Sequence, residues 1–168
     1  AGPILKLRPN QVRPEREQLQ AGAELIGADS VAAATEIVSI AIEALQAAGV
    51  RHLEATSFVS PKWVPQMGDA VDVMAGITRR ADTVYSVLTP NLKGFEGALA
   101  AGANEVVVFG AASEAFSQKN INCSIAESIE RFAPVVVAAH ASGISVRGAI
   151  SCTVGCPYEG EVSPERVA

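Results

Sequence analysis

Apolar and polar positions alternate between two regimes along the 168-residue chain. Ala-rich stretches with polar residues at helical spacing run up to a glycine, and a short, almost continuous β-branched run follows. Ala47-Ala48-Gly49 precedes Val50 to Phe58, Ala100-Ala101-Gly102 precedes Glu105 to Phe109, and Ala141-Ser142-Gly143 precedes Ile144 to Ser151. Glycine accepts the left-handed conformation that closes a helix, so each stop has a physical reason. Continuous Val-rich runs fit strands buried on both faces. A fourth strand, Thr83 to Leu88, follows the helical stretch Asp69 to Ile77 without a glycine stop. Strand starts near 50, 84, 105 and 144, with one helix between each pair, predict right-handed parallel crossovers and an α/β fold. Ile4 to Leu7 reads as a short strand, and the segment Pro9 to Glu17 as a loop. Ser163-Pro164 reads as a helix start. A closed (β/α)8 barrel takes about 250 residues, and this pattern supplies about five strands and four helices of one. The expectation is therefore a single, incomplete TIM-barrel domain over 1–168, with 1–30 a divergent N-terminal segment.

Composition narrows the class. Apolar residues make up 49% and charged residues 18%, enough for a core and too apolar for a disordered chain. With a net charge of -5 and 5% aromatics, the chain lacks the clustered Lys and Arg that phosphate backbones require, which excludes a nucleic-acid partner. No apolar run approaches the roughly 20 residues of a membrane-spanning helix, so no membrane role is expected. The longest, Ser30 to Gly49, is broken by Thr35, Glu36, Ser39, Glu43 and Gln46. No secretory leader is visible, and Cys123, Cys152 and Cys156 read as reduced thiols, which points to a cytoplasmic setting.

Parallel α/β folds keep their chemistry in the loops that follow strands. Ser57 to Met67 is a proline-punctuated loop holding the only Trp, as suited to a rigid binding loop as to a packed surface. Asn91, in Leu88 to Gly94, reads first as a helix N-cap. Gly110 to Ser124 and Cys152 to Gly160 follow the next two strands. Cys152 and Cys156 are four apart, but zinc wants four ligands and no second pair exists. His52 begins a strand and His140 sits late in a helix, positions that favour a structural role. There is no phosphate-cradling glycine motif and no Gly-x-Ser-x-Gly elbow.

The strings Ser57 to Asp69, Leu88 to Phe95, Phe109 to Ser124, Ser145 to Gly148 and Gly155 to Gly160 resemble the 3-hydroxy-3-methylglutaryl-CoA lyase family. The resemblance runs from about Glu36 to Ala168. It implies a metal-dependent TIM barrel that cleaves 3-hydroxy-3-methylglutaryl-CoA to acetyl-CoA and acetoacetate. In such a retro-Claisen cleavage a divalent cation, Mg2+ or Mn2+, acidifies and orients the tertiary hydroxyl, and an Arg stabilises the enolate oxygen. The family's Arg-Asp pair matches Pro14 to Gln20 best, giving Arg16 the catalytic role and Glu17 the metal. The match inserts Glu15 and replaces Asp by Glu and Gly by Gln18. Glu54 matches the acid that braces the catalytic Arg, Ser57 a substrate-contacting hydroxyl, and Asn120 and Arg147 polar residues near the site. A structural Glu54–Arg147 ion pair is the plainer reading of those two, and both can hold. The family's His-x-His ligands and catalytic Cys loop have no match here. The resemblance further implies an acyl-CoA substrate, a homo-oligomer in the full-length form, and a mitochondrial matrix location in a eukaryote. Two rivals are a related Claisen or aldol enzyme acting on 2-oxo acids, and a non-catalytic remnant. A half-barrel would also expose strand edges and an uncovered apolar interior.

Overall fold

The computed structural model describes residues 2–5, 17–20, 24–28 and 30–168. Strand β1 (Gly2–Leu5) pairs antiparallel with β2 (Glu17–Gln20), Leu5 facing Glu17. The expected strand at Ile4 thus starts two residues earlier. Glu17, expected in a loop, instead opens a strand. Arg16 lies outside the described residues.

The body of the fold alternates helix and strand, with two helices in place of the expected one between the last two strands of the sheet. Helix α1 (Val31–Ala47) leads to β3 (His52–Ser57), α2 (Ala70–Gly76) to β4 (Val84–Leu88), and α3 (Leu92–Ala100) to β5 (Glu105–Ala111). Helices α4 (Glu114–Ile121) and α5 (Ile125–Ala141) then precede β6 (Ser145–Ser151). Strands β3-β4-β5-β6 form one parallel sheet in that order, as the pattern predicts. The three glycine stops sit where the sequence puts them, with φ of +88° at Gly49, +71° at Gly102 and +67° at Gly143.

Two loops carry more structure than expected. Within 110–124, Ser113 caps α4 by accepting from the Phe116 N–H, and Asn122 closes it in the left-handed region. Ser124 then starts α5 with a reciprocal cap to Glu127. Within 152–160, β7 (Gly155–Cys156) and β8 (Gly160–Glu161) form a small antiparallel hairpin. The helix expected at Ser163-Pro164 is a single 3-10 turn, Pro164–Arg166.

The core lies between sheet and helices. Tyr85, Val87 and Val106 from the strands pack with Met74, Phe95 and Val135 from the helices, all nearly or wholly buried. Each such aliphatic or aromatic side chain withdrawn from water contributes about 1.5–3 kcal/mol before entropy. Alternation along the strands sends the residues between them to the opposite face. Among the described residues, no helix is long and apolar enough to cross a membrane.

Candidate active site

On the sheet face turned away from the helices, four strands each contribute a polar side chain. Glu54 on β3 is in register with Ser86 on β4, and Ser86 with Glu105 on β5. Arg147 on β6 reaches back across them. Its Nη2 donates to Ser86 Oγ at 2.9 Å, its Nε lies 3.1 Å from Glu105 Oε1, and its Nη2 lies 4.0 Å from Glu54 Oε2. Ser86 Oγ in turn donates to the Leu53 carbonyl at 3.3 Å. His52 Nε2 adds a further contact to Glu105 at 3.5 Å. Glu105 Oε1, flanked by the Arg147 guanidinium and the His52 ring, receives no well-aligned hydrogen bond, so its stabilisation comes chiefly from the charge of Arg147. The interior expected to be apolar is thus lined at this level by a charged row. Glu54 and Arg147 are each 47% exposed and Glu105 is 10% exposed, so the buried member of the row is Glu105.

The row sits below the strand ends. Glu54 is the third residue of β3, where the sequence reading put it at the strand's end, and Arg147 is the third of β6. A bulge between Glu54 and Thr56 shifts the β3 register just beyond it. In a barrel, residues at strand C-terminal ends are the ones that meet substrate, and lower residues brace them. Glu54 and Arg147 lie below that level.

A divalent cation does not fit this row. Its two carboxylates are already bridged by the Arg147 guanidinium, which would repel a dication at the same point. Among the described residues no three His, Cys, Asp or Glu side chains converge on one point. The proposed ligand Glu17 has only its backbone described, as the first residue of β2.

At the strand ends the four loops expected to gather do so in two pairs. Ser57 is the last residue of β3, and the next N–H, that of Phe58, donates to the Leu88 carbonyl at 2.8 Å. Asn91 caps α3 by accepting from the Gly94 N–H. A β-carbon at Gly94 would stand 2.7 Å from the Phe58 carbonyl oxygen, so only glycine lets these two loops close. Between them lies a cleft of about 250 Å³ bordered by Phe58, Met67, Val71, Asn91 and Lys93, with Trp63 85% exposed on its loop. The second pair, 110–124 and 152–160, is joined by Ser113 Oγ donating to Cys156 Sγ at 2.9 Å and by the Ala115 N–H donating to Glu159 Oε1 at 2.9 Å. That Ala115 N–H, with Arg166 beside it, holds the Glu159 carboxyl below its usual range.

The structure therefore brings Glu54 and Arg147 together. It puts Ser57 at the neighbouring strand end and Asn120 exposed in the last turn of α4. Among the described residues neither is bonded to the charged row. Sequence reading missed Ser86 and Glu105. An acid heading an otherwise Val-rich strand, Glu105-Val106-Val107-Val108, was the available signal, because a buried carboxylate there demands a cation.

Comparison with known proteins places this geometry in a lineage. A curated Homo sapiens relative, the mitochondrial hydroxymethylglutaryl-CoA lyase, is 61% identical over 127 residues, covering 76% of this chain and 39% of its own length. A Pseudomonas aeruginosa protein named 3-hydroxy-3-isohexenylglutaryl-CoA/hydroxy-methylglutaryl-CoA lyase is 58% identical over 127 residues and is covered over 42% of its length. This chain thus spans about two fifths of the curated relatives it matches. The crystal structure of the Pseudomonas aeruginosa hydroxymethylglutaryl-CoA lyase superposes with a TM-score of 0.74 at 52% identity, over 85% of this chain and 46% of that one. An HMG-CoA lyase from Acinetobacter baumannii, solved with coenzyme A and 3-methylmalate, superposes with a TM-score of 0.73 at 36% identity, over 79% of this chain and 43% of that one. The HMGL-like family model matches residues 27–168, and with the parallel sheet and loop placement in agreement, the chain belongs to the HMGL-like family.

Proposed function

We propose that this chain forms the N-terminal half of a (β/α)8 carbon–carbon lyase that cleaves 3-hydroxy-3-methylglutaryl-CoA to acetyl-CoA and acetoacetate. The observation that carries the reading is the 61% identity to a hydroxymethylglutaryl-CoA lyase, on a parallel sheet whose strand-end loops are the strings shared with that family. The neighbour solved with coenzyme A supports an acyl-CoA thioester as the substrate class. A homo-oligomer is the proposed full-length state.

In this reading Ser57, at the end of β3, contacts substrate, and Asn120 adds a polar contact from the last turn of α4. Arg147 is held by Glu105 and Ser86, and it orients Glu54. Glu54 in turn braces the arginine that meets the enolate oxygen, for which Arg16 is the candidate in this chain. A fixed cation at that oxygen stabilises the charge that develops as the carbon–carbon bond breaks. The described residues offer no cradle for a divalent cation, so such an ion would depend on Glu17 and on ligands from the rest of the barrel.

The test is acetoacetate release from 3-hydroxy-3-methylglutaryl-CoA by a barrel in which residues 27–168 replace the matched segment of the Pseudomonas aeruginosa lyase. The graft is expected to be active. A second graft of residues 1–168, with Arg16→Met and Glu17→Ala, reads the two N-terminal roles. Turnover that survives both substitutions would remove them from the site.

A further inference from the structure

The three thiols are unused by the proposed chemistry, and two of them meet. Cys152 follows the last residue of β6, and Cys156 ends β7. Cys156 is 2% exposed and packs with Ala112 and Val162. It accepts from Ser113 Oγ at 2.9 Å and from the Tyr158 N–H at 3.4 Å, and Cys152 packs against the same cluster. Burial alone would push this thiol up, but these hydrogen bonds outweigh it and hold it below its usual range. Cys152 is only partly buried, and burial beside Cys156 pushes its thiol up. Its φ of +62° is left-handed, a conformation that non-glycine residues rarely adopt and that the surrounding turn must enforce. The turn thus sets an outer, partly exposed thiol beside an inner, buried one. Cys123 is buried elsewhere, after α4.

We propose that Cys152 and Cys156 are a peroxide-sensitive dithiol that closes to an intramolecular disulfide at the C-terminal end of β6. A small peroxide reaches Cys152. The sulfur attacks one peroxide oxygen, the O–O bond breaks, and the thiol proton leaves with the departing hydroxide as water, giving a sulfenic acid. Cys156 Sγ then attacks that sulfur. The S–O bond breaks, the S–S bond forms, and hydroxide leaves with the Cys156 proton as a second water. Two thiols and one hydrogen peroxide become one disulfide and two waters. Cys152 packs against the small cluster that buries Cys156, and three residues separate the two in the turn.

The full chain, with folding monitored by circular dichroism, is treated with hydrogen peroxide, alkylated and digested with trypsin without reductant. The tryptic peptide Gly148–Arg166 carries both cysteines and no other, while Cys123 lies on Asn120–Arg131. The expected result is a Gly148–Arg166 peptide about 2 Da lighter than its reduced form and unalkylated, restored by dithiothreitol, with Cys123 still free. In Cys156→Ser the sulfenic acid at Cys152 persists and reacts with dimedone. In Cys152→Ser the buried Cys156 resists oxidation. A wild-type peptide that stays alkylated, climbs to sulfinic or sulfonic acid, or pairs with Cys123 would overturn the proposal. Oxidation of Cys156 at an unchanged rate in Cys152→Ser would overturn the order of attack.

Discussion

Replacing Arg147 by Met tests whether the charged row is held by its buried carboxylate or by its exposed one. Methionine keeps much of the stem's packing and removes the guanidinium. Glu105, 10% exposed, then loses the cation at 3.1 Å and keeps His52 at 3.5 Å and the Ser145 hydroxyl at 3.5 Å. Breaking a fully buried pair costs about 3–5 kcal/mol. Here Arg147 is 47% exposed, so water reaches the vacated space, and the expected cost is nearer 2 kcal/mol. Glu54, also 47% exposed and 4.0 Å away, adds at most about 0.5 kcal/mol. Urea unfolding followed by circular dichroism reads the cost, and a double-mutant cycle apportions it. Arg147→Met with Glu105→Gln should show a coupling of about 1–2 kcal/mol. Arg147→Met with Glu54→Gln should show no more than about 0.5 kcal/mol. A loss below about 0.5 kcal/mol for Arg147→Met alone, or a larger coupling to Glu54 than to Glu105, would refute the reasoning.

Tyr85→Phe should cost about 1–3 kcal/mol in the same assay, because the hydroxyl partners the buried Gln46 amide at 2.6 Å and accepts from the Arg80 N–H at 2.9 Å. Gly94→Ala should destabilise by about 2 kcal/mol or more and loosen the cleft loops, read by faster amide exchange at Phe58, since its β-carbon collides with backbone. Acid should unfold the protein progressively below about pH 4.5. Asp82 is held low chiefly by its hydrogen bond to Arg80, Glu127 by the Ser124 N–H, and Glu159 by the Ala115 N–H. Each binds its proton more weakly folded than unfolded, so its contribution is present above the ordinary carboxylate pKa and lost as pH falls through the lowered native value. Glu127→Gln should flatten that acid slope in a pH series of melts. The isolated chain should release no measurable acetoacetate with Mg2+ or Mn2+, and calorimetry should find only weak metal binding, because no three ligands converge among the described residues.

The alternating helices and strands were legible because each is written locally, in an Ala-rich face, a left-handed glycine and a β-branched run. The cap at Asn91 falls under the same rule, whereas the Ser124–Glu127 cap was not read. What escaped was cooperative. Glu105 looks like an ordinary strand residue until Arg147, 42 positions later, is folded beside it, and Ser86 gains its role only as the acceptor that Arg147 reaches beyond Glu105. Helix α4 and the β7–β8 hairpin were hidden inside segments too short and too polar to show a period. They are fixed by single contacts such as Ser113 to Cys156. Glu54 and Arg147 came from resemblance, and the sheet register explains why the two meet.

The most direct measurement of the central claim is the rate of acetoacetate release by the 27–168 graft, with Glu54 intact and as Glu54→Gln, under saturating 3-hydroxy-3-methylglutaryl-CoA. The account predicts turnover by the first and a fall of about 10- to 100-fold in the second, the scale of losing a residue that orients a catalytic one. A folded graft that leaves this thioester uncleaved, or one whose rate is indifferent to Glu54→Gln, would contradict it.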